Sequence, residues 1–349
     1  MKLLANDGID PLGKELLEKA GFTVDTNHIP QDELAVKLQA YDAITVRSAT
    51  KVRKDLIDAC PNLRLIGRGG VGMDNIDVEY AKSKGIAVVN TPAASSQSVA
   101  ELVFAHLYNG VRFLYDANRK MPVEGDTNFA GLKKAYGKGV ELKGKTLGVI
   151  GFGRIGQETA KVALGVGMNV IASDFVAIPK ALTLTLSGGI SVDVPVKQVS
   201  TDELIKQADF ISLHVPFLDK PVLGTAEFAL MKNGVGIVNA SRGGTIDELA
   251  LIEALNNGTV SFAGLDVFDS EPTPRKEILT HPRVSLTPHI GAATNEAQER
   301  IGEELANIII GYFKGSLNNH SFLIMRRETK NVSLFLFEAF LPGLPRFAR

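Results

Sequence analysis

Short unbroken apolar runs alternate along the chain with longer stretches whose apolar positions recur every three or four residues. A short continuous run suits a strand buried on both faces of a sheet, and the longer spacing suits a helix that buries one side. On this pattern strands are predicted over residues 2–5, 43–47, 64–68 and 86–89. Helices are predicted over 13–20, 32–39 and 51–59, with Gly21 stopping the first. A long helical stretch follows from 98 to about 120, then a polar, Gly-rich segment over 121–142 that carries Lys133-Lys134. A second series begins at Lys145, with later strands over 210–214, 235–239, 262–266 and 284–286. Helices over 201–207 and 246–256 separate them, and a last helix covers 294–314. Alternation of this kind predicts an α/β protein with parallel sheets wrapped by helices on both faces. The segment 177–199 alternates like strand through Leu182-Thr-Leu-Thr-Leu-Ser187 and Ser191-Val-Asp-Val194, and has no place in that order.

Composition narrows the class. At 349 residues the chain is long for one core and implies two domains. Hydrophobic residues make up 45% and charged residues 22%, the balance of an ordinary globular protein. Lys+Arg is 38 against 39 for Asp+Glu, so the net charge of -1 gives no reason to expect nucleic acid or an anionic membrane as partner. Cys60 stands alone and cannot make an internal disulfide, which fits a reducing compartment and predicts a cytoplasmic protein. The opening Met1-Lys-Leu-Leu-Ala-Asn-Asp7 has too short an apolar run for a signal peptide, and no run is long enough to span a bilayer.

The strongest chemical signal is Lys145-Thr-Leu-Gly-Val-Ile-Gly151-Phe-Gly153-Arg154-Ile155-Gly156, followed by Ile171-Ala-Ser-Asp174. It orders a strand, a glycine turn, a helix, a second strand and a terminal acid. Gly151 permits the tight turn, Gly153 lets the backbone approach a pyrophosphate, and Gly156 lets the helix pack on the strand. A pyrophosphate then sits at the helix N-terminus, where free N–H groups and the dipole favour an anion. Asp174, 18 residues after Gly156, is placed to bind the adenosine ribose hydroxyls and repel a 2′-phosphate, which favours NAD over NADP. A lone glycine pattern is often an ordinary loop, but here the flanking strands and helix are all present.

Three polar groups fall where strands of the second series end. Arg242, in Val238-Asn-Ala-Ser-Arg242-Gly-Gly-Thr-Ile-Asp-Glu248, lies in a strand-to-helix turn, with Thr245 and Glu248 at capping-box spacing. Its fork matches a carboxylate and a neighbouring carbonyl; the bland alternative is a surface arginine. Glu271 follows Leu265-Asp266-Val-Phe-Asp-Ser, and His289 lies in Leu286-Thr-Pro-His289-Ile-Gly-Ala-Ala293. They flank the strand near Val284 and could meet, the carboxylate then raising and orienting a general acid/base. His28, His106, His281 and His320 are read as structural or exposed, and His214 as lining the cofactor pocket. No His/Cys cluster has metal-ligand spacing, and no G-x-S-x-G elbow points to a serine hydrolase.

Together these motifs resemble the D-isomer-specific 2-hydroxyacid dehydrogenases over about residues 1–317. The carrying residues are Gly151-Phe-Gly-Arg-Ile-Gly156, Asp174, His214-Val-Pro216, Asn239-Ala-Ser-Arg-Gly-Gly244, Leu265-Asp-Val-Phe-Asp-Ser-Glu-Pro272 and Pro288-His-Ile-Gly-Ala292. The resemblance implies two Rossmann-like parallel-sheet domains with the active site in the cleft between. Residues 1–98 and 290–317 would form a discontinuous substrate-binding domain, and 99–289 the NAD-binding domain. It implies His289 as acid/base, Glu271 as its carboxylate partner and Arg242 as substrate anchor. The cofactor set would be Gly151, Gly153, Arg154, Ile155, Gly156, Asp174, His214, Val215, Pro216, Ala240, Ser241, Arg242, Asp266, His289, Gly291 and Ala292.

The N-terminal half is most similar to the phosphoglycerate dehydrogenase branch, through Val46-Arg47-Ser48-Ala-Thr-Lys51 and Arg68-Gly69-Gly70-Val71-Gly72-Met-Asp74-Asn75. Arg47 and Ser48 end a strand and could hold a phosphate, and the 69–72 loop offers backbone N–H groups to a carboxylate. The implied substrate set is Arg47, Ser48, Gly69, Gly70, Val71 and Asn75. The implied reaction is NAD-dependent oxidation of D-3-phosphoglycerate to 3-phosphohydroxypyruvate, at the head of serine synthesis. A homodimer or larger homo-oligomer is implied, with a basic residue near Lys133-Lys134 reaching across the interface. A serine-binding C-terminal domain, common in that branch, is not expected. The tail 318–349 matches nothing familiar, and its run over 332–341 could pack on the body, join an interface or be disordered. Rival readings are a glyoxylate/hydroxypyruvate reductase or D-lactate dehydrogenase of the same family, in which Arg47, Ser48 and Lys51 have no phosphate to hold. An NAD-sensing binding protein on the same fold is a further rival.

Overall fold

The computed structural model describes residues 1–315. Five strands, β1 (Lys2–Ala5), β2 (Thr23–Asp25), β3 (Ala43–Val46), β4 (Leu65–Arg68) and β5 (Ala87–Asn90), form one parallel sheet in the order β2-β1-β3-β4-β5. Leu3 lies opposite Val24 on one side and Ala43 on the other. Its core joins Leu3, Leu17, Leu65 and Val89 to Leu305 and Ile309 of the last helix, Asn295–Lys314. The apolar stripe of that helix therefore completes a core whose strands lie at the other end of the sequence.

The second sheet contains β6 (Thr146–Ile150), β7 (Asn169–Ser173), β10 (Lys197–Gln198), β11 (Phe210–Leu213), β12 (Val235–Asn239), β13 (Val260–Leu265) and β14 (Val284–Leu286). All pair in parallel, in the order β10-β7-β6-β11-β12-β13-β14. Side chains alternate between two cores, Ile237 entering one with Leu204, Phe228 and Leu251, and Val238 the other with Val103, Leu107 and Ala160. Parallel pairing delivers every strand end to the same edge. Gly151, Asp174, His214, Ala240, Asp266 and Thr287 all follow such ends, where open α/β sheets bind ligands.

The chain divides into two compact units. Among the described residues one comprises Met1–Gly69, Asn75–Thr91 and 301–315, and the other Gly70–Asp74 and Pro92–Arg300. Two parallel-sheet units agree with the predicted class.

Several elements differ from expectation. The helix predicted over 98–120 is two, Ser96–Val111 and Leu114–Glu124, broken where Phe113 takes a left-handed backbone with φ 57. The apolar spacing runs through this break, and no glycine marks it. The segment 121–142 contains a further helix, Phe129–Ala135. The unplaced 177–199 segment forms an antiparallel hairpin of β8 (Ala181–Thr185) and β9 (Ser191–Pro195), then β10 on the sheet edge. Leu182 of the hairpin is buried, while Leu186, Ile190 and Val192 are exposed. The short elements Thr23–Asp25, Val78–Ser83, Thr225–Leu230 and Lys276–Leu279 were below the length at which periodicity speaks. The tail 318–349, with His320, lies outside the described residues. Among the described residues no helix is long and apolar enough to cross a membrane.

The Pro11–Lys19 and Asn295–Lys314 helices cross at two glycines. A Cβ on Gly13 would lie 2.6 Å from the Gly302 carbonyl oxygen. Backbone cannot swing aside as a side chain can, so Gly13→Ala is expected to destabilise the fold by about 1–3 kcal/mol. Denaturant unfolding checks this, and a midpoint equal to that of the parent would rule out so close a crossing.

Candidate active site

The glycine turn after β6 has the shape its sequence predicts. Gly151 has φ 87, and a Cβ there would sit 2.5 Å from the His214 carbonyl oxygen. A Cβ on Gly156 would lie 2.2 Å from the Gly151 carbonyl oxygen, so the Arg154–Gly165 helix can start this close to the strand only with glycine. Gly153 precedes that helix, has open space where a Cβ would be, and no side chain caps the helix start. The first-turn N–H groups are thus left without a side-chain acceptor, as an arriving pyrophosphate requires. Arg154 is exposed in that first turn, and Ile155 packs partly on the core.

Asp174 follows β7 beside this turn. Its Oδ2 accepts the Phe152 N–H at 2.7 Å and its Oδ1 the Val176 N–H at 3.2 Å. Sequence reasoning missed Gln198, on the edge strand that follows the hairpin. Its Nε2 donates to the carbonyls of Asp174 (3.1 Å) and Val176 (2.7 Å), and its Oε1 accepts the Ile178 N–H at 3.2 Å. No local motif marks this residue; only the pairing of β10 with β7 reveals the clamp.

The turn after β12 is braced from within. Asn239 Nδ2 donates to the Arg242 carbonyl and to Thr245 Oγ1, both at 3.0 Å, while its Oδ1 accepts the Ser241 N–H and hydroxyl. Ala240 and Ser241 are buried, and Arg242 emerges. The Arg242 Nε donates to Asp74 Oδ2 at 2.9 Å and Nη1 to the Ser241 carbonyl at 2.6 Å. Asp74 is a partner that the sequence did not identify. The capping box expected of Thr245 and Glu248 is not formed. Asp247 caps the Glu248–Asn257 helix through the N–H groups of Leu249 and Ala250, because Thr245 is spent on the Arg242 carbonyl. Glu248 is buried and accepts the Asp269 N–H at 3.0 Å, which ties down the loop leading to Glu271.

Glu271 and His289 meet. His289 Nδ1 and Glu271 Oε2 are 2.8 Å apart, and Glu271 Oε1 accepts the Phe268 N–H at 3.0 Å. Burial raises the Glu271 carboxyl, but the His289 hydrogen bond and charge, the Phe268 N–H and the nearby Arg242 together hold it below its usual range. His289 has the left-handed φ of 56. The loop that imposes this is anchored on Asp266, which is fully buried. Asp266 Oδ1 accepts the Ile290 N–H and Oδ2 the Gly291 N–H, both at 2.8 Å. The Ala292 carbonyl accepts Gln298 Nε2 at 2.6 Å. Arg242, Glu271, His289, Asp266 and Gly291 are thus gathered at one sheet edge.

Most of the substrate set belongs to the other unit, where Arg47 and Ser48 follow β3. Asp7 Oδ2 accepts the N–H groups of Arg47 (2.6 Å) and Thr50 (3.1 Å). Asn75 Nδ2 donates to the carbonyls of Arg47 (2.7 Å) and Thr50 (2.6 Å), so its amide braces this loop. The Gly69 N–H bonds the Val46 carbonyl. Gly70 has φ 139 and Val71 is exposed, both in the stretch counted with the second unit. Lys133 and Lys134 lie in the last turn of the Phe129–Ala135 helix. Among the described residues no group of His, Cys, Asp and Glu could hold a metal ion.

A family model for the D-isomer specific 2-hydroxyacid dehydrogenase NAD binding domain matches residues 104–291. The chain belongs to this family. It is 47% identical over 309 residues to a hydroxypyruvate reductase of Thermotoga maritima, covering 86% of this chain and 95% of that protein. It is 42% identical to a D-3-phosphoglycerate dehydrogenase of Methanocaldococcus jannaschii over 91% of this chain but only 58% of that longer protein. A D-lactate dehydrogenase of Aquifex aeolicus, solved with NAD and lactic acid, superposes with a TM-score of 0.71 at 31% identity, covering 91% of this chain and 96% of that one. This D-2-hydroxyacid dehydrogenase is accordingly an NAD-dependent oxidoreductase, and its glycine turn and Asp174 fit that cofactor.

His214 and Val215 follow β11, Val215 buried and Pro216 exposed. The His214 Nε2 pairs with Ser212 Oγ at 2.8 Å, and its Nδ1 is sealed from solvent with no partner among the described residues. Burial pushes this ring down to about 3. The unfolded chain therefore binds the proton first, so the contribution of His214 is intact above its unfolded value of roughly 6.5 and is lost progressively below it. His214→Asn is expected to lose less stability than the parent between about pH 7 and 5. Parallel unfolding curves for the two proteins across that range would show the ring to be open to water.

Proposed function

We propose that this dehydrogenase oxidises D-3-phosphoglycerate to 3-phosphohydroxypyruvate, with His289 as acid/base, Glu271 as its partner and Arg242 as the carboxylate anchor. The observation that carries the chemistry is the contact of His289 Nδ1 with the Glu271 carboxylate. Glu271 is kept ionised, so the neutral ring carries its proton on Nδ1 and presents Nε2 as the base. NAD supplies the hydride acceptor at its nicotinamide. As the C2 hydrogen leaves with its electron pair, His289 takes the C2 hydroxyl proton, and Glu271 stabilises the imidazolium. Arg242 has Nε and Nη1 held within the protein, and its guanidinium is assigned the substrate carboxylate and the developing C2 carbonyl. The bare start of the Arg154–Gly165 helix is assigned the pyrophosphate, and Asp174 the adenosine ribose.

The phosphate is assigned to Arg47 and Ser48. Asp7 and Asn75 fix the backbone of that loop through its N–H and carbonyl groups, and the Arg47 guanidinium has no partner among the described residues. A second reading, reduction of unphosphorylated hydroxypyruvate, is favoured by the 47% identity to a hydroxypyruvate reductase matched over nearly its whole length.

The deciding experiment follows NADH formation with D-3-phosphoglycerate and NADH consumption with phosphohydroxypyruvate, hydroxypyruvate, glyoxylate and pyruvate. The phosphorylated pair is expected to have the highest kcat/KM, and preference for hydroxypyruvate would replace the substrate while keeping the chemistry. Arg47→Ala should cost about ten- to hundredfold in kcat/KM for the phosphorylated pair and little for hydroxypyruvate. His289→Gln should lower kcat at least about a hundredfold with the NADH Kd unchanged. Near-normal turnover in that variant would refute the acid/base assignment.

A further inference from the structure

Behind the His289 loop runs a line of buried and half-buried polar groups that the proposed chemistry does not use. His106 lies on the Ser96–Val111 helix and is 2% exposed. Its Nδ1 is 2.8 Å from Ser285 Oγ, and its Nε2 is 3.0 Å from Thr287 Oγ1. Thr287 Oγ1 donates to Asp266 Oδ1 at 2.7 Å. At the far end, Asn109 Nδ2 donates to Ser285 Oγ at 2.7 Å. The helix also reaches the loop directly, through Ser98 Oγ donating to the Gly291 carbonyl at 2.7 Å.

The direction of every bond in this line follows from proton counting. The Asp266 carboxylate only accepts, so the single Thr287 hydroxyl proton is committed to it. Thr287 Oγ1 must then receive a proton from His106, which places the imidazole hydrogen on Nε2. Nδ1 is left as an acceptor and takes the Ser285 hydroxyl proton, and Ser285 Oγ in turn accepts from Asn109. The helix carrying His106 packs closely on β13, where a Cβ on Gly264 would lie only 2.5 Å from the His106 Cβ. Burial also pushes His106 below its usual range, against the opposing pull of Asp266, which favours the neutral ring.

We infer that His106, as the neutral Nε2–H tautomer, is a positioning residue that orients Asp266 through Thr287 and so sets the loop that presents His289. The functional part of this inference rests on the assignment of His289 as acid/base. Asp266 can offer one oxygen to the Ile290 N–H and the other to the Gly291 N–H only in one rotation, and the Thr287 hydroxyl selects it. Those two N–H groups follow directly after the left-handed His289. A change at His106 therefore alters the aim of the acid/base without touching substrate or cofactor.

Two measurements test this. Nitrogen-15 histidine NMR of the full protein, with the His106 signal assigned by its loss in His106→Gln, should show a protonated Nε2 and a bare Nδ1, unchanged from about pH 6 to 8. An Nδ1–H tautomer, or a ring that titrates in that range, overturns the inference whether or not His289 is the acid/base. In kinetics, His106→Gln keeps an N–H donor in reach of Thr287, whereas His106→Asn reaches only the Ser285 side. The Asn variant should lose roughly ten- to hundredfold in kcat, with the Kd for ADP-ribose unchanged and the Gln variant restoring most of the rate. Equal rates for the Asn and Gln variants overturn the relay, since two polar substitutions in one cavity would then differ in no functional way. Failure of the acid/base assignment would show separately, as turnover retained by His289→Gln.

Discussion

The acid/base end of this molecule depends on one buried carboxylate taking two consecutive backbone N–H groups. Asp266 is fully enclosed, and Ile290 and Gly291 each donate to one of its oxygens. A buried carboxylate without partners would be prohibitively costly, and these bonds remove that cost while fixing the loop. The loop in turn holds His289 in a left-handed backbone that costs a side-chain-bearing residue about 1–2 kcal/mol. Strain of that size persists only where the surroundings over-determine the conformation, and here they do so beside a hydrogen-bonded carboxylate–imidazole pair.

The parallel sheet explains why these groups come together from such distant parts of the chain. Each strand of the Thr146–Leu286 series releases its next residue at the same edge, so the sequence order of the motifs becomes a spatial row. The row is then stiffened by short-range polar contacts: Asn239 within its own turn, Glu248 on Asp269, Gln198 on the Asp174 loop. These braces touch backbone, and they place side chains that remain available to a ligand.

Much of this was legible in the sequence because it rests on local rules. Glycines at 151, 153 and 156 can be read from steric need alone, and the strands near 86–89 and 235–239 from short, mostly apolar runs. The contact of Glu271 with His289 was legible as a possibility, since both flank one strand. What escaped reading was set by tertiary contact. Phe113 breaks a helix with no glycine or proline at the break, its ring centroid 6.0 Å from that of Tyr136. Asp74 and Gln198 act on residues far away in sequence, with no spacing to announce them. His106 resembled any histidine on an apolar helix, and only the fold shows its two nitrogens facing Ser285 and Thr287.

The hairpin and the strand after it also alter the margin of the larger sheet. Its outermost strands are Lys197–Gln198 on one side and Val284–Leu286 on the other, two and three residues long, while the strands inside have four to six. An edge strand exposes unpaired backbone groups on which another chain can add. Margins this short offer such a chain few consecutive rungs. A sheet whose interior strands are mostly apolar is in this way protected from growing by strand addition.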